Sequence, residues 1–482
     1  MASFTFKSVD ASDIWSNFFG FDQSAALQTV SSTRAVIDSG DFIFELSGTG
    51  LKGGSAPAGT VTGVKFFITD LSAPGGRVEV FSGTGLSLTY ASVLQGFAAD
   101  PFGSIDLFFA RSDVLVGSAG SDLMFGGGGN DSLTGGDGAD QMFGGFGDFE
   151  DGDGNDTLVG GNGDDVLNGE DGNDSLVGGA GNDQLVGDDS FGSFSNPDFP
   201  SADGSDTMVG GPGNDSYFVN RATDVVTEVA GGGTNDRVVM FASDTLLTYT
   251  LPAEVENLSV QTPGFSFTSA SIPVTSAKGN ALANKISVLA VPYEPGSVQG
   301  AVRIDGAGGN DRITGGAGND TLIGGAGVDT LIGGAGADDF VLSSSSAADV
   351  IHDFKGGSST AGDDIMVSRA GIRIGDGDTA LEGAIARSAP GGFAKGTELV
   401  VFTSNISGSI TTAAAAAKIG SATSAYAIGN TALFAVDNGI SSAVYLFTAA
   451  DADAVVEANE LRLLATLTST PSTAVSDYGL LA

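Results

Sequence analysis

Cysteine is absent from this chain, histidine and tryptophan occur once each, and 19 lysines and arginines face 59 aspartates and glutamates. Without cysteine there are no disulfides, thiolate metal sites or cysteine nucleophiles. With a single histidine, His352, a multi-histidine zinc site is excluded, and a Ser-His-Asp triad would have to recruit that residue. No Gly-x-Ser-x-Gly elbow occurs either, and a glycosidase-type carboxylate pair could be recognised only from geometry. The expectation is a protein that is not an enzyme. The shortage of basic residues leaves a formal charge of -40, which removes counterion release onto phosphate as a binding force, so no nucleic-acid partner is expected. Long apolar runs are missing as well. No segment has the length of a membrane span, and residues 1–15 do not read as a conventional signal peptide.

What the chain has in abundance is glycine, 76 residues of it, arranged with a rhythm. Gly126-Gly127-Gly128-Gly129-Asn130-Asp131-Ser132-Leu133-Thr134 is followed by nine residues of the same pattern: Gly, Gly, any, Gly, any, Asp, any, apolar, any. Complete units start at 117, 126, 135, 151, 160, 169, 178, 201 and 210, and again at 306, 315, 324 and 333. The sixth-position acids are Asp122, Asp131, Asp140, Asp156, Asp165, Asp174, Asp183, Asp206, Asp215, Asp311, Asp320, Asp329 and Asp338.

Glycines open backbone angles closed to other residues, and Asn at the fifth position is read as tolerating the left-handed region, so six residues form a turn. The last three form a short strand whose middle side chain faces the core: Met124, Leu133, Met142, Leu158, Leu167, Leu176, Leu185, Met208, Tyr217, Ile313, Leu322, Leu331 and Phe340. Two units make one eighteen-residue coil of a flattened, right-handed parallel roll. Stacking then sets carboxylate above carboxylate, which is repulsive unless a hard cation sits between. Calcium suits such turns, because it accepts six to eight oxygen ligands, carbonyls included. So large an acidic excess further predicts that folding depends on bound metal.

These repeats resemble the RTX family of nonapeptide calcium-binding β-roll proteins, closely over 117–218 and 306–341. The resemblance implies multiple Ca2+ ions and export by the type I secretion machinery under an uncleaved C-terminal signal. The product would then be extracellular or at a bacterial cell surface. It also makes 219–305 a non-calcium spacer continuing the roll, and 349–354 with 363–365 the closing strands, where Asp353 and Asp363 would add terminal calcium ligands.

The fold class expected is therefore all-β: a right-handed parallel β-roll solenoid with bound calcium, flanked by a β-rich N-terminal domain and a mixed β/α C-terminal domain. The divisions are 1–116 (capping or assembly), 117–218 (first roll), 219–305 (spacer), 306–365 (second roll) and 366–482 (C-terminal domain with the export signal). Two interruptions are expected: a short turn with Phe149 in place of the ligand, and a looped-out insertion at 188–200 carrying Phe191, Phe194 and Phe199. The ninth position, which should face outward, is often apolar, as at Phe125, Phe143, Val177 and Phe218, so part of that face is expected to be covered. Helices are expected at 411–419, between a Thr start and a Gly stop, and at 451–467, where Val456, Leu463, Leu464 and Leu467 would share one face. His352 is assigned no chemistry.

Three functions are compatible with this organisation. The leading one is a calcium-dependent structural protein assembling as a homo-oligomer or lattice in a surface layer or matrix. The second is an adhesin holding a cell-surface glycan through a flanking domain, and the third a secreted hydrolase of unrecognised type.

Overall fold

The computed structural model describes residues 2–6, 26–30, 34–38, 42–52, 58–68, 78–89, 112–145, 154–188, 204–241, 248–262, 275–290, 300–356, 362–375, 380–469 and 473–481, with side chains from residue 112 onward except at 262 and 290. The turn with Phe149 and the insertion with Phe191, Phe194 and Phe199 lie outside these residues. The chain divides into two compact units, Met1–Asp236 and Arg237–Ala482.

In the first unit the three-residue strands of alternate repeats build two parallel sheets. One contains Leu123–Phe125, Gln141–Phe143, Val166–Asn168, Gln184–Val186 and Ser216–Val219, and the other Asp113–Val116, Ser132–Asp137, Thr157–Asn162, Ser175–Ala180, Thr207–Val209 and Val225–Thr227. Met124 pairs with Met142 and Leu158 with Leu176, eighteen residues on, so two nonapeptides do form one coil. The two interruptions lengthen a coil without breaking register: Met142 pairs with Leu167, and Leu185 with Tyr217. Parallel pairing is kept because a slip by one residue would turn every core side chain outward. Leu115, Met124, Leu133, Met142, Leu158, Leu167, Leu176, Leu185, Met208 and Tyr217 are all 0% exposed. Each such Leu or Met contributes about 1.5–3 kcal/mol on burial, which is what holds a strand of only three residues in place.

Ala2–Phe6 pairs in parallel with Asp113–Val116, the first strand of the roll, and antiparallel with Val78–Thr89. An antiparallel meander through Ala58–Ile68, Phe42–Lys52, Arg34–Asp38 and Ala26–Val30 extends the sheet from there. It covers the open edge of that sheet, which would otherwise expose unpaired backbone groups.

The second unit repeats the scheme. One sheet runs Thr248–Thr250, Thr275–Lys278, Val302–Asp305, Thr321–Ile323, Asp339–Leu342, Asp364–Ser368 and Tyr478–Leu481. The other runs Arg237–Phe241, Asn257–Thr262, Lys285–Ala290, Arg312–Gly316, Thr330–Gly334 and Asp349–His352, then Leu461–Leu467. Ser442–Thr448, Thr431–Asp437, Leu399–Phe402 and Ile385–Arg387 complete it. Phe393, Phe402, Tyr426, Phe434, Tyr445 and Phe447 pack there with Ala415 and Ile419 of the helix Thr412–Ile419. Thr411 caps that helix by accepting the Ala414 N–H, as its sequence predicts.

The helix expected at 451–467 is not formed. Glu457 and Glu460 make a single 3-10 turn, and Leu461–Leu467 is a strand, antiparallel to Ser442–Thr448 and parallel to Asp349–His352. Leu461, Leu464, Ala465 and Leu467 are buried in that pairing, so tertiary burial outweighs the helical propensity of a Leu-rich segment. A second expectation also fails. Among the described residues no fifth-position Asn adopts positive φ; in the turns this belongs to the second and fourth positions, mostly glycines such as Gly161 (φ 120) and Gly163 (φ 139), with Glu170 (φ 63) and Ala307 (φ 71) at the second position as well. The asparagines serve a different purpose: Asn155 Oδ1 accepts the Asn173 N–H at 2.7 Å, and Asn182 Oδ1 accepts the Asn214 N–H at 2.9 Å, each from the next coil.

Candidate metal centre

The turns stack along the edges of each roll, and the sixth-position carboxylates stack with them into four ladders. In the first unit the Asp113 N–H donates to Asp131 Oδ1 (2.6 Å), Asp131 N–H to Asp156 (2.7 Å), Asp156 N–H to Asp174 (2.7 Å) and Asp174 N–H to Asp206 (2.9 Å). On the other edge the donors and acceptors are Asp122 to Asp140 (2.8 Å), Asp140 to Asp165 (2.8 Å), Asp165 to Asp183 (2.9 Å) and Asp183 to Asp215 (2.7 Å). In the second unit Asp311 N–H donates to Asp329 (2.8 Å) and Asp329 N–H to Asp349 (3.1 Å); Asp320 N–H donates to Asp338 (2.9 Å) and Asp338 N–H to Asp363 (3.1 Å).

These bonds occupy one oxygen of each carboxylate. The other, Oδ2, is buried without a hydrogen-bond partner at Asp140, Asp165, Asp174, Asp183, Asp206, Asp215, Asp311, Asp320, Asp329 and Asp338. Leaving a single buried charged oxygen unsatisfied costs more than the ~1–3 kcal/mol of a neutral polar group. Successive carboxylates at the ~4.8 Å strand spacing would also repel by roughly 3 kcal/mol per pair at an effective dielectric of about 20. Over a whole ladder these penalties exceed the ~5–15 kcal/mol that stabilises an ordinary domain. The bare ladder therefore requires protons or cations.

The same physics displaces the titrations. Burial, opposed by the backbone hydrogen bond and reinforced by neighbouring acids, pushes Asp140, Asp215 and Asp338 up to about 6. Asp183 and Asp311 rise to about 7, as does Asp320, all from burial first. Burial takes Asp174 up to about 9, with Asp206, Asp156 and Asp188 contributing.

Turn carbonyls complete the oxygen lining. A Cβ added to Gly135 would overlap Asp140 Oδ2 and come within 2.7 Å of the Gly160 carbonyl, so only glycine allows these two oxygens to converge. The donor set is oxygen alone: a carboxylate from the turn, carbonyls from the coils above and below. A hard, flexible cation fits it, and calcium better than magnesium, which demands strict octahedral geometry and retained water. Bound there, calcium would supply the positive charge that the Oδ2 column lacks.

A family model described as the RTX calcium-binding nonapeptide repeat matches four stretches: 111–148, 150–185, 202–226 and 305–340. These four stretches are RTX calcium-binding repeats. A comparison with curated proteins finds no match. The RTX repeats support a calcium-binding protein of the secreted type, and the buried aspartate ladders are compatible with several ions.

All thirteen sixth-position aspartates are buried, and so is Asp363, whose Oδ1 ends one ladder. Asp353 stands apart from the ladders: its two oxygens accept the Gly333 and Gly334 N–H groups, at 3.1 and 2.9 Å. Asp349 holds the ladder position instead. Further acids escaped the sequence reading: Asp113, Asp188, Asp224, Glu228 and Asp236. Asp188, Asp206 and Asp224 gather ligand atoms within 4.8 Å of one another, as do Asp215, Glu228 and Asp236. A search at eighteen-residue spacing would have found Asp113 below Asp131 and Asp224 above Asp206. Asp236 and Glu228 fall outside that spacing.

The start of the spacer thus still carries ligand-type acids, at Asp224, Glu228 and Asp236, and farther along it nitrogen donors reach the turn carbonyls. In the spacer, Asn280 Nδ2 donates to the Pro252 and Val255 carbonyls, both at 2.7 Å, and Asn284 occupies the ladder position below Asp311. At the closing coil Lys355 Nζ donates to the Gly334 carbonyl at 2.6 Å.

Proposed function

We propose that this RTX protein is a non-enzymatic structural component of the cell exterior, which folds on meeting calcium and assembles with copies of itself into a surface layer or matrix. The observation that carries the reading is the extent of the ladders: both units are built on acidic turns whose buried carboxylates require protons or cations. Low cytoplasmic calcium would leave these turns unfolded and able to pass the type I secretion machinery. Extracellular calcium, in the ~0.1–1 mM range typical of external modules, would then fold them.

Self-assembly is supported by the outward ninth position. Phe125 and Phe143 stack there with ring centroids 5.1 Å apart, and both stay half-buried. An apolar row of this kind is the material of a protein contact. Electron microscopy of the purified chain with millimolar calcium tests the proposal. Ordered sheets or filaments are expected; monodisperse monomers that bind glycan would favour an adhesin instead, and turnover of a model substrate would favour an enzyme.

A further inference from the structure

Near the end of the first roll the ladder acquires a carboxylate that no repeat supplies. Asp215 is 0% exposed, its Oδ1 accepts the Asp183 N–H at 2.7 Å, and its Oδ2 has no hydrogen-bond partner. That Oδ2 points to the same place as Glu228 Oε1: a Cβ on Gly210 would overlap Asp215 Oδ2 and lie 2.6 Å from Glu228 Oε1. Asp236, 1% exposed, accepts the Asp215 N–H at 2.8 Å and brings a third carboxylate. Ligand atoms of the three acids lie within 4.8 Å of one another. The Tyr217 hydroxyl donates to Glu228 Oε1 and holds it over the turn.

We propose that Asp215, Glu228 and Asp236 form a distinct three-carboxylate cation site, stronger than the repeat turns, that fills first as metal is added. The inference rests on the calcium-binding reading of the ladders and adds an order of filling to it. Formal charge decides the ranking. Three carboxylates leave one negative charge after a divalent ion binds, so this site attracts a cation more strongly than the turns flanked by two, and a trivalent lanthanide neutralises it. The other three-acid group, Asp188, Asp206 and Asp224, ranks below it: the Arg221 charge lies near Asp206 and Asp224, and Asp224 Oδ2 already accepts the Asn220 and Arg221 N–H groups. Early occupation would fix Glu228 and Asp236, both outside the nonapeptides, against the last complete turn of the first array.

Tyr217 supplies the readout, since a phenol beside the site transfers excitation to bound terbium(III). Terbium is titrated into the calcium-free full-length chain, with excitation in the tyrosine band. Sensitised emission should saturate near the first equivalent, well before the remaining sites fill, and should vanish in Tyr217→Phe. That variant keeps an aromatic core residue, as Phe340 does at the same position of the second array. Glu228→Gln should move the early phase to about tenfold higher terbium. Emission that grows in proportion across all equivalents, or an unchanged titration in Glu228→Gln, would overturn the site while leaving the repeat sites standing. Failure of the chain to bind either terbium or calcium would remove both.

Discussion

Asp140 Oδ1 accepts the Asp122 backbone N–H at 2.8 Å, while Asp140 Oδ2 accepts none. This division of one carboxylate into a structural oxygen and a ligand oxygen recurs up every ladder, and it separates the effects of substitution. Asp140→Asn keeps an oxygen for the Asp122 N–H but removes the charge. It should weaken calcium binding at that turn by roughly tenfold or more while disturbing the calcium-free chain little. Calorimetric titration against the unsubstituted protein would show a reduced stoichiometry or a weak final phase. Unchanged binding would remove Asp140 from the ligand set.

Acid should replace calcium in part. Aspartates whose pKa in the fold is raised above the ordinary 3.8 bind more protons folded than unfolded. Their contribution to the metal-free fold is therefore fully present below about pH 4. It is lost as pH rises through about 6 for Asp140 and Asp338, about 7 for Asp183 and Asp311, and about 9 for Asp174. In chelator, strand signal in circular dichroism should grow as pH falls from about 8 to about 5, and calcium affinity should fall over the same window. A chelated protein that loses strand signal on acidification would contradict the burial argument.

The spacer should behave in the opposite way. Asn280→Ala strips the Pro252 and Val255 carbonyls of their amide donor and should cost about 1–3 kcal/mol. Because those carbonyls are held by the Asn280 amide, the loss should not be rescued by raising calcium. Denaturant midpoints of the second unit's transition, taken at two calcium concentrations, would show it.

Replacing Phe125 and Phe143 together by Ser leaves the core column at Met124 and Met142 in place. Calcium-dependent folding should survive, with assembly reduced or lost, as light scattering would report. Assembly at the unsubstituted level would remove the aromatic row from the contact.

The nonapeptide made the strands, the core column and the sixth-position ladder legible, because three constraints of different physical origin fall on one nine-residue period. Glycine answers to backbone angle, aspartate to charge, leucine to burial. Where a single constraint acts, the sequence misleads. Leu461–Leu467 has the composition of a helix, and pairing with Ser442–Thr448 and Asp349–His352 makes it a strand. Asn at the fifth position looks like a left-handed residue, yet it accepts a hydrogen bond from the next coil, a partner that a linear reading does not bring near. Glu228 and Asp236 are invisible for a similar reason: they join Asp215 through the fold and not through the repeat.

The central claim is that the buried Oδ2 columns need a cation before the rolls can form. Circular dichroism of the full-length chain at neutral pH, first in chelator and then through a calcium titration, tests it most directly. The strand signal of the rolls should be lost in chelator, leaving that of the apolar-cored C-terminal sheet, and should return cooperatively at ~0.1–1 mM calcium. Full strand signal in chelator, unaltered by calcium, would contradict the account.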